Sequence, residues 1–307
     1  MPDWLTHICA AAPLAKAQKQ DDPRYLFAGS IMPDVISTAA YTLFDLGKLP
    51  AFCTFKFMHI YLHTFHSPFI CLLLAGAASL FTEQPAKVFR MLMLGFLSHF
   101  ILDFLQKSFY GGSVLLYPLV IRNFSSGLFW YDDKFFRFLL IFSVIIFLIF
   151  FKQVFSKRIF IKLQMPSVRH GIVIFFLLAA ALLFPVLTWK QAEKNNLNSV
   201  KFISNPEAFI NKKVALSYSS TVSTKPFIIQ EGSAVFNLQA EKFSPRLEQW
   251  VSVSGIYRQD TAGNYYIDVN EIKTHNTVIK IFLSLAGALL LVFIWIYNPR
   301  HEYPSRK

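Results

Sequence analysis

Residues 88–106 read VFRMLMLGFLSHFILDFLQ, and this stretch decides the fold class. A helix crosses a hydrocarbon core of ~30 Å with ~20 residues, so the run has the length of a membrane span, yet it carries His99 and Asp103. Side chains at i and i+4 share one helical face and can reach the same ion. A charged group inside a span costs on the order of 3 kcal/mol or more unless it is paired, ligated or hydrated. The bland alternative is a His99–Asp103 hydrogen bond that merely satisfies both groups inside a helical bundle.

Working outward, the same length criterion marks 136–151, 170–188 and 278–297 as spans, and 67–82 (SPFICLLLAGAASLFT) as a further one. Segments 4–20 and 24–46 are amphipathic and read as helices packed on the bundle or lying at its interface. Hydrophobic residues make up 54% of the 307 positions, 34 of them Phe, and only 16% are charged. Ordinary soluble domains carry about 25% charged residues, which excludes that class. The formal charge of +12 does not describe a nucleic-acid stripe, because Lys152, Lys157, Arg158, Lys162 and Arg169 flank apolar runs. Lys and Arg are retained in short cytoplasmic loops. That rule puts 152–169 and the tail with Arg300, Arg306 and Lys307 inside, and 107–135 and 190–276 outside. Cys9, Cys53 and Cys71 are scattered, so neither a thiolate zinc site nor a disulfide framework is indicated. The first residues lack the basic and apolar regions of a cleavable signal peptide.

Residues 190–276 change character. VALSYSSTVS, KPFIIQEGSAVFNL, QWVSVSGIYRQ and NYYIDVNEIK alternate β-branched and aromatic with polar residues between Gly- and Asp-containing turns. About five short strands in such a length suit a small barrel of the oligonucleotide/oligosaccharide-binding (OB) type. Its ten Lys and Arg against eight Asp and Glu make no basic patch, and nucleic acid is not expected as a partner. The expected architecture is therefore mainly α: a polytopic membrane helical bundle with an OB-like all-β barrel inserted before the last transmembrane helix. Its parts are a helical domain at 1–135, two transmembrane helices at 136–189, the extramembrane barrel at 190–276, and the last helix with a basic tail at 277–307.

Other polar residues join the His99–Asp103 pair. In HIYLHTFHS, His59, His63 and His66 recur at i, i+4 and i+7, one helical face ahead of an apolar run. Each buried imidazole needs partners for two ring nitrogens, so three on one stripe are poorly explained by packing alone. His66 and His63 are the candidate ligands; His59 reads better as a snorkelling residue, and Ser67 as a helix cap. Asp34 follows Pro33 in GSIMPDV, where a carboxylate caps a helix or faces a cleft. His7 stands near the start of WLTHICAAA, with Asp3 before it.

The ordered series PDWLTH, GSIMPD, FHS, SHFILD and LLYPL resembles the YdjM-like family of inner-membrane metal-dependent hydrolases, itself similar in motif order to zinc-dependent phospholipase C. The resemblance covers roughly residues 1–130. It implies an all-helical metal site assembled from His7, Asp34, His66, His99 and Asp103, with the Pro118 segment lining the cleft, and a multi-pass protein of the cytoplasmic membrane. Two features of the phospholipases have no counterpart. Trp4 is preceded by three residues, so the role of a free N-terminal Trp amine is not carried over, and the downstream H-x-x-x-E pair is absent. Fewer ligands imply one or two metals rather than three.

The expected function is hydrolysis of a phosphoester or lipid-like small-molecule substrate at the bilayer by a metal-activated water. Imidazole and carboxylate ligands without thiolate favour zinc, with manganese or iron as alternatives. Asp34 is the expected bridging ligand or catalytic base. A membrane-anchored scaffold, with a degenerate hydrolase bundle and a partner-binding barrel, is the alternative from a different class. A transporter with an intramembrane His/Asp relay is a third reading, against which stands the absence of paired repeats with broken helices.

Overall fold

The computed structural model describes residues 3–18, 22–45, 53–107, 114–121, 123–130, 133–155, 161–196, 198–231, 234–240 and 246–297. Its helices are α1 (Trp4–Ala10), α2 (Ala12–Ala17), α3 (Pro23–Asp45), α4 (Phe55–Phe65), α5 (Pro68–Ser79), α6 (Pro85–Leu105), α7 (Lys134–Phe155), α8 (Val168–Leu187), α9 (Trp189–Asn196), α10 (Asn198–Ser204) and α11 (Thr277–Ile296). The strands are β1 (Lys213–Thr224), β2 (Phe227–Glu231), β3 (Ala234–Gln239), β4 (Trp250–Gln259) and β5 (Tyr265–His275). Among the described residues, α6, α7, α8 and α11 are long and apolar enough to cross a membrane. Their outward residues agree with that: Phe138, Leu148, Phe175, Phe176, Phe282 and Leu289 all stand exposed on the bundle.

The expected span at 67–82 is corrected. Ser67 caps α5, its hydroxyl accepting from the Ile70 N–H, Pro68 starts the helix, and Thr82 bridges to Leu163. Only 12 residues remain helical, about 18 Å at 1.5 Å per residue. The amphipathic reading of 4–20 also divides, into α1 and α2, around Ala11 and Pro13.

Contacts between distant segments define two ends of the bundle. At one, Asp22 accepts the Ile161 N–H at 2.9 Å, Arg24 and Tyr25 reach the Ile161 carbonyl, and the Glu83 N–H donates to the Lys162 carbonyl. The start of α3, the end of α5, the start of α6 and the α7–α8 link therefore meet there. At the other end, the chain after α6 folds back on it, with Ser126 and Leu128 N–H groups donating to the Phe104 and Leu105 carbonyls. The Tyr117 hydroxyl lies 2.9 Å from that of Thr188, which follows α8, and Lys273 of β5 pairs with Asp133 at 2.8 Å, just before α7. The barrel thus sits at the end where α6 and α8 finish and where α7 and α11 begin.

The crossing of α3 and α6 forms the centre of the bundle. A β-carbon placed on Gly95 would stand 2.2 Å from the Leu26 carbonyl oxygen, and one on Gly29 would stand 2.4 Å from that of Leu92. The two backbones touch where neither residue has a side chain. Around the crossing, Leu26, Phe27, Met91, Leu92 and Phe96 form the core with Ile8 of α1, and Phe27 meets Phe147 and Phe155 of α7. Gly287 of α11 is a second close approach: a β-carbon there would stand 2.5 Å from the Leu5 nitrogen. Short α1 is thereby held inside the bundle.

The strands form a closed barrel in the order β1-β2-β3-β5-β4, with β3 and β5 parallel and the other pairs antiparallel. Strand structure begins at Lys213, not near 190; WKQAEKNNLNSVKFIS lacks period-2 alternation and is largely helical. Phe202 of α10 is fully buried and stacks on Phe236 of β3, closing one end of the barrel core. In the β4–β5 turn, Asp260 accepts from the Ala262 and Asn264 N–H groups, and Gly263 takes φ +87°, a conformation glycine adopts without strain.

One carboxyl of the barrel makes its stability depend on pH. Burial pushes Glu231 up from 4.5 to about 7, partly offset by the hydroxyl of Ser219 donating to it at 2.5 Å. A raised carboxyl pKa means the folded barrel binds the proton more tightly than the unfolded chain. The stabilisation is then complete at low pH, fades as pH rises from about 4.5 and is gone above about 7. The full chain in detergent is expected to melt at a higher temperature at pH 5 than at pH 8 in the transition that unfolds the barrel, and Glu231→Gln to flatten that dependence. Equal slopes for both proteins would remove Glu231 as the cause.

Candidate metal centre

Each contributing side chain is placed by a specific local feature. Asp34 lies one turn beyond the Gly29–Gly95 crossing, directly after Pro33. That proline cannot donate to the Gly29 carbonyl, which loosens the helix where the carboxylate leaves it. His66 occupies the break between α4 and α5, as the C-cap residue of the first helix, immediately before Ser67. His99 and Asp103 come from the last two turns of α6. His7 is carried by α1, whose start is fixed by Asp3: one carboxylate oxygen accepts from the Thr6 N–H at 2.8 Å and the other from the Thr6 hydroxyl at 2.7 Å. Asp3 is a helix cap in this fold, not a metal ligand.

These side chains converge. One donor atom from each of Asp34, His66, His99 and Asp103 lies within 4.8 Å of the other three, and all four residues are buried. His66 Nε2 is 2.7 Å from Asp103 Oδ2 and 3.2 Å from His99 Nε2, while its Nδ1 is 3.6 Å from Asp34 Oδ1. His99 Nε2 lies 3.3 Å from Asp103 Oδ2 and 3.8 Å from Asp34 Oδ1. His7 stacks on the His99 ring with centroids 4.1 Å apart, and its Nε2 is 3.7 Å from Asp103 Oδ1 and 3.9 Å from Asp34 Oδ2. The side chains of His59 and His63 lie outside those the structure describes.

The tautomer of His99 follows from its neighbour. Nδ1 is 2.8 Å from the Ser30 carbonyl oxygen, and a carbonyl only accepts, so Nδ1 carries a proton and Nε2 is the ring nitrogen turned to the cluster. A backbone carbonyl on the far nitrogen is the usual orienting partner of a metal-binding histidine. Sequence reading singled out His99 but not Ser30. The nearest signal was its place beside Gly29 in GSIMPD, a small residue in a helix that must approach another closely.

The donor set fits a divalent cation, on the evidence of what the polar atoms lack. Among the described residues, both ring nitrogens of His7, Asp34 Oδ1 and Asp103 Oδ1 are buried without a hydrogen-bond partner. Leaving a buried polar group unsatisfied costs about 1–3 kcal/mol each, and four such atoms in one cluster are not how a core is stabilised. A contrasting buried carboxylate shows the ordinary arrangement: Asp22 is fully satisfied by Arg24 and the Ile161 N–H. The His99–Asp103 pair alone would have been compatible with mutual hydrogen bonding. His66 joins that pair by hydrogen bonds, but His7 and one oxygen of each carboxylate find no partner in it.

No protein-family model, curated protein or solved structure matches this chain.

Proposed function

We propose that this chain is a metal-dependent hydrolase of the cytoplasmic membrane that cleaves a phosphoester or lipid-like substrate. The observation that carries the reading is the buried convergence of Asp34, His66, His99 and Asp103 with unsatisfied oxygens on both carboxylates. A divalent cation held there, zinc by the preference of an imidazole and carboxylate set and manganese or iron otherwise, would supply a water with its pKa lowered toward ~7 and a Lewis acid for a substrate oxygen. His66, His99 and Asp103 are the proposed ligands. Asp34, which faces His7, His66 and His99, is the proposed proton acceptor or bridging ligand, and His7 completes the donor set on its open side. The motif order shared with the YdjM-like family supports the same reading over the first 130 residues.

The barrel fits the OB type in strand number and in the way β3 and β5 close it. Lys87, Arg90, Lys152, Lys162 and Arg169 gather toward the end of the bundle away from the barrel, which by the positive-inside preference is the cytoplasmic end. The metal centre, near the barrel end of α6, then lies toward the extracytoplasmic side.

Elemental analysis of the detergent-purified protein is expected to find one or two divalent ions per chain. Chelation is expected to abolish release of a fluorophore from a phosphodiester substrate, and zinc, manganese or iron to restore it. Protein that holds no metal and turns over no phosphoester with any of the three would overturn the proposal.

A further inference from the structure

Between α1, α7 and α11 lies a slot of about 50 Å³ lined by Asp3, Phe136, Arg137, Leu140, Lys280 and Leu283, among others. Its walls are almost entirely carbon, yet two of its lining residues are cations. Arg137 stands three residues into α7 and Lys280 three residues into α11. Each is about 4.5 Å from its helix start at 1.5 Å per residue. Both helices start at the barrel end of the bundle, so the two basic side chains occupy the same depth, where a bilayer passes from headgroups to acyl chains. Long basic side chains at that depth lay their methylenes along apolar surface and direct their charge to the interface.

The slot and the metal centre share α1. Asp3, on its wall, precedes His7 by one helical turn on the same face of α1, and the His7 ring faces Asp34 and Asp103. Lys280 and Asp3 line the slot together. The Gly287–Leu5 contact locks α11 to α1 and fixes this geometry.

We propose that this slot binds the phosphate headgroup of an anionic lipid at the bilayer interface through Arg137 and Lys280. The carbon lining selects a lipid over free phosphate, and the two cations select an anionic headgroup over a neutral one. The binding of this lipid does not rest on the hydrolase reading.

Native mass spectrometry of the full chain, released from micelles containing phosphatidic acid, tests the site without requiring turnover. The wild-type chain is expected to retain one phosphatidic acid under activation that strips phosphatidylcholine. The Arg137→Gln, Lys280→Gln double variant is expected to lose occupancy about 30-fold, the effect of two cations near an anionic headgroup. Arg137→Lys with Lys280→Arg is expected to keep it. Metal content equal to wild type in both variants reports that the bundle has folded. Retention by the neutral variant, or displacement of the lipid by millimolar inorganic phosphate, would overturn the lipid site. Metal with no retained lipid sinks the slot and leaves the hydrolase reading standing; retained lipid without metal does the reverse.

Discussion

Asp103→Asn protein is expected to insert and fold but to lose its metal. The carboxylate is 2.7 Å from His66 Nε2 and 3.3 Å from His99 Nε2, and its other oxygen has no protein partner. It is therefore the group that would face a bound cation from the middle of the cluster. An apparent ~10–16 kcal/mol for a four-ligand zinc site, shared equally, assigns ~2.5–4 kcal/mol to each ligand. Affinity is thus expected to fall roughly 10² to 10³-fold, and hydrolysis with it. Asn keeps the shape and still bonds His66, so the melting temperature of metal-free protein is expected to stay near that of metal-free wild type. The informative control is Asp22→Asn, which removes an equally buried carboxylate that is already satisfied by Arg24 and Ile161. It is expected to loosen the join between α3 and the α7–α8 link while metal content stays at the wild-type level. Equal metal in the two variants would mean that the cluster is a buried hydrogen-bond network and nothing more.

How much of this site could be read in the chain depends on the distance over which its parts were coupled. His99 and Asp103 were legible because a helix fixes i and i+4 on one face, and the cost of polar groups in SHFILD demanded a reason. His66 was legible because it ends a histidine stripe just where Ser67 and Pro68 begin a new helix. His7 was a weaker inference, since nothing in WLTHICAAA says that so short a helix is pressed into the bundle. That is decided by Gly287, 280 residues further on, a position no local pattern connects to α1. The β strands were legible from period-2 alternation, whereas 190–204 was swept into the barrel because a polar segment between a span and a strand has no strong period of its own. Its packing through Phe202 is a tertiary fact. The overlong span at 67–82 came from counting apolar residues without weighing the Thr82–Leu163 bridge, which stops the helix. Lys280 stood in plain view in VIKIFLSL as a lone cation near a span end, and such residues usually only snorkel. Its place beside Asp3 and Arg137 comes from the neighbours that α1 and α7 supply.

Gly95→Leu is expected to disable the site from a position that touches no ligand. A β-carbon at 95 would stand 2.2 Å from the Leu26 carbonyl oxygen and 2.7 Å from the Ser30 nitrogen, both backbone atoms that cannot swing aside as a side chain would. α3 and α6 must then part. Overpacking of this kind costs typically 1–3 kcal/mol in stability, but the larger effect is geometric. Ser30, whose carbonyl orients His99, and Asp34 ride on α3, while His99 and Asp103 ride on α6. A separation of ~1 Å between the helices misplaces half the donor set against the other half, and a displacement of that size costs on the order of 10²-fold in rate. Gly95→Ala is expected to show the same direction with a smaller loss, because its single methyl needs less room. Gly171→Ala in α8 is the matched control, as nothing lies within 4 Å of its β-carbon. Alanine there gains up to ~1 kcal/mol of helix propensity, with metal content and turnover at wild-type levels. Full metal content in Gly95→Leu would show that α3 and α6 can repack without moving Asp34 relative to Asp103. The close crossing would then have no part in assembling the centre.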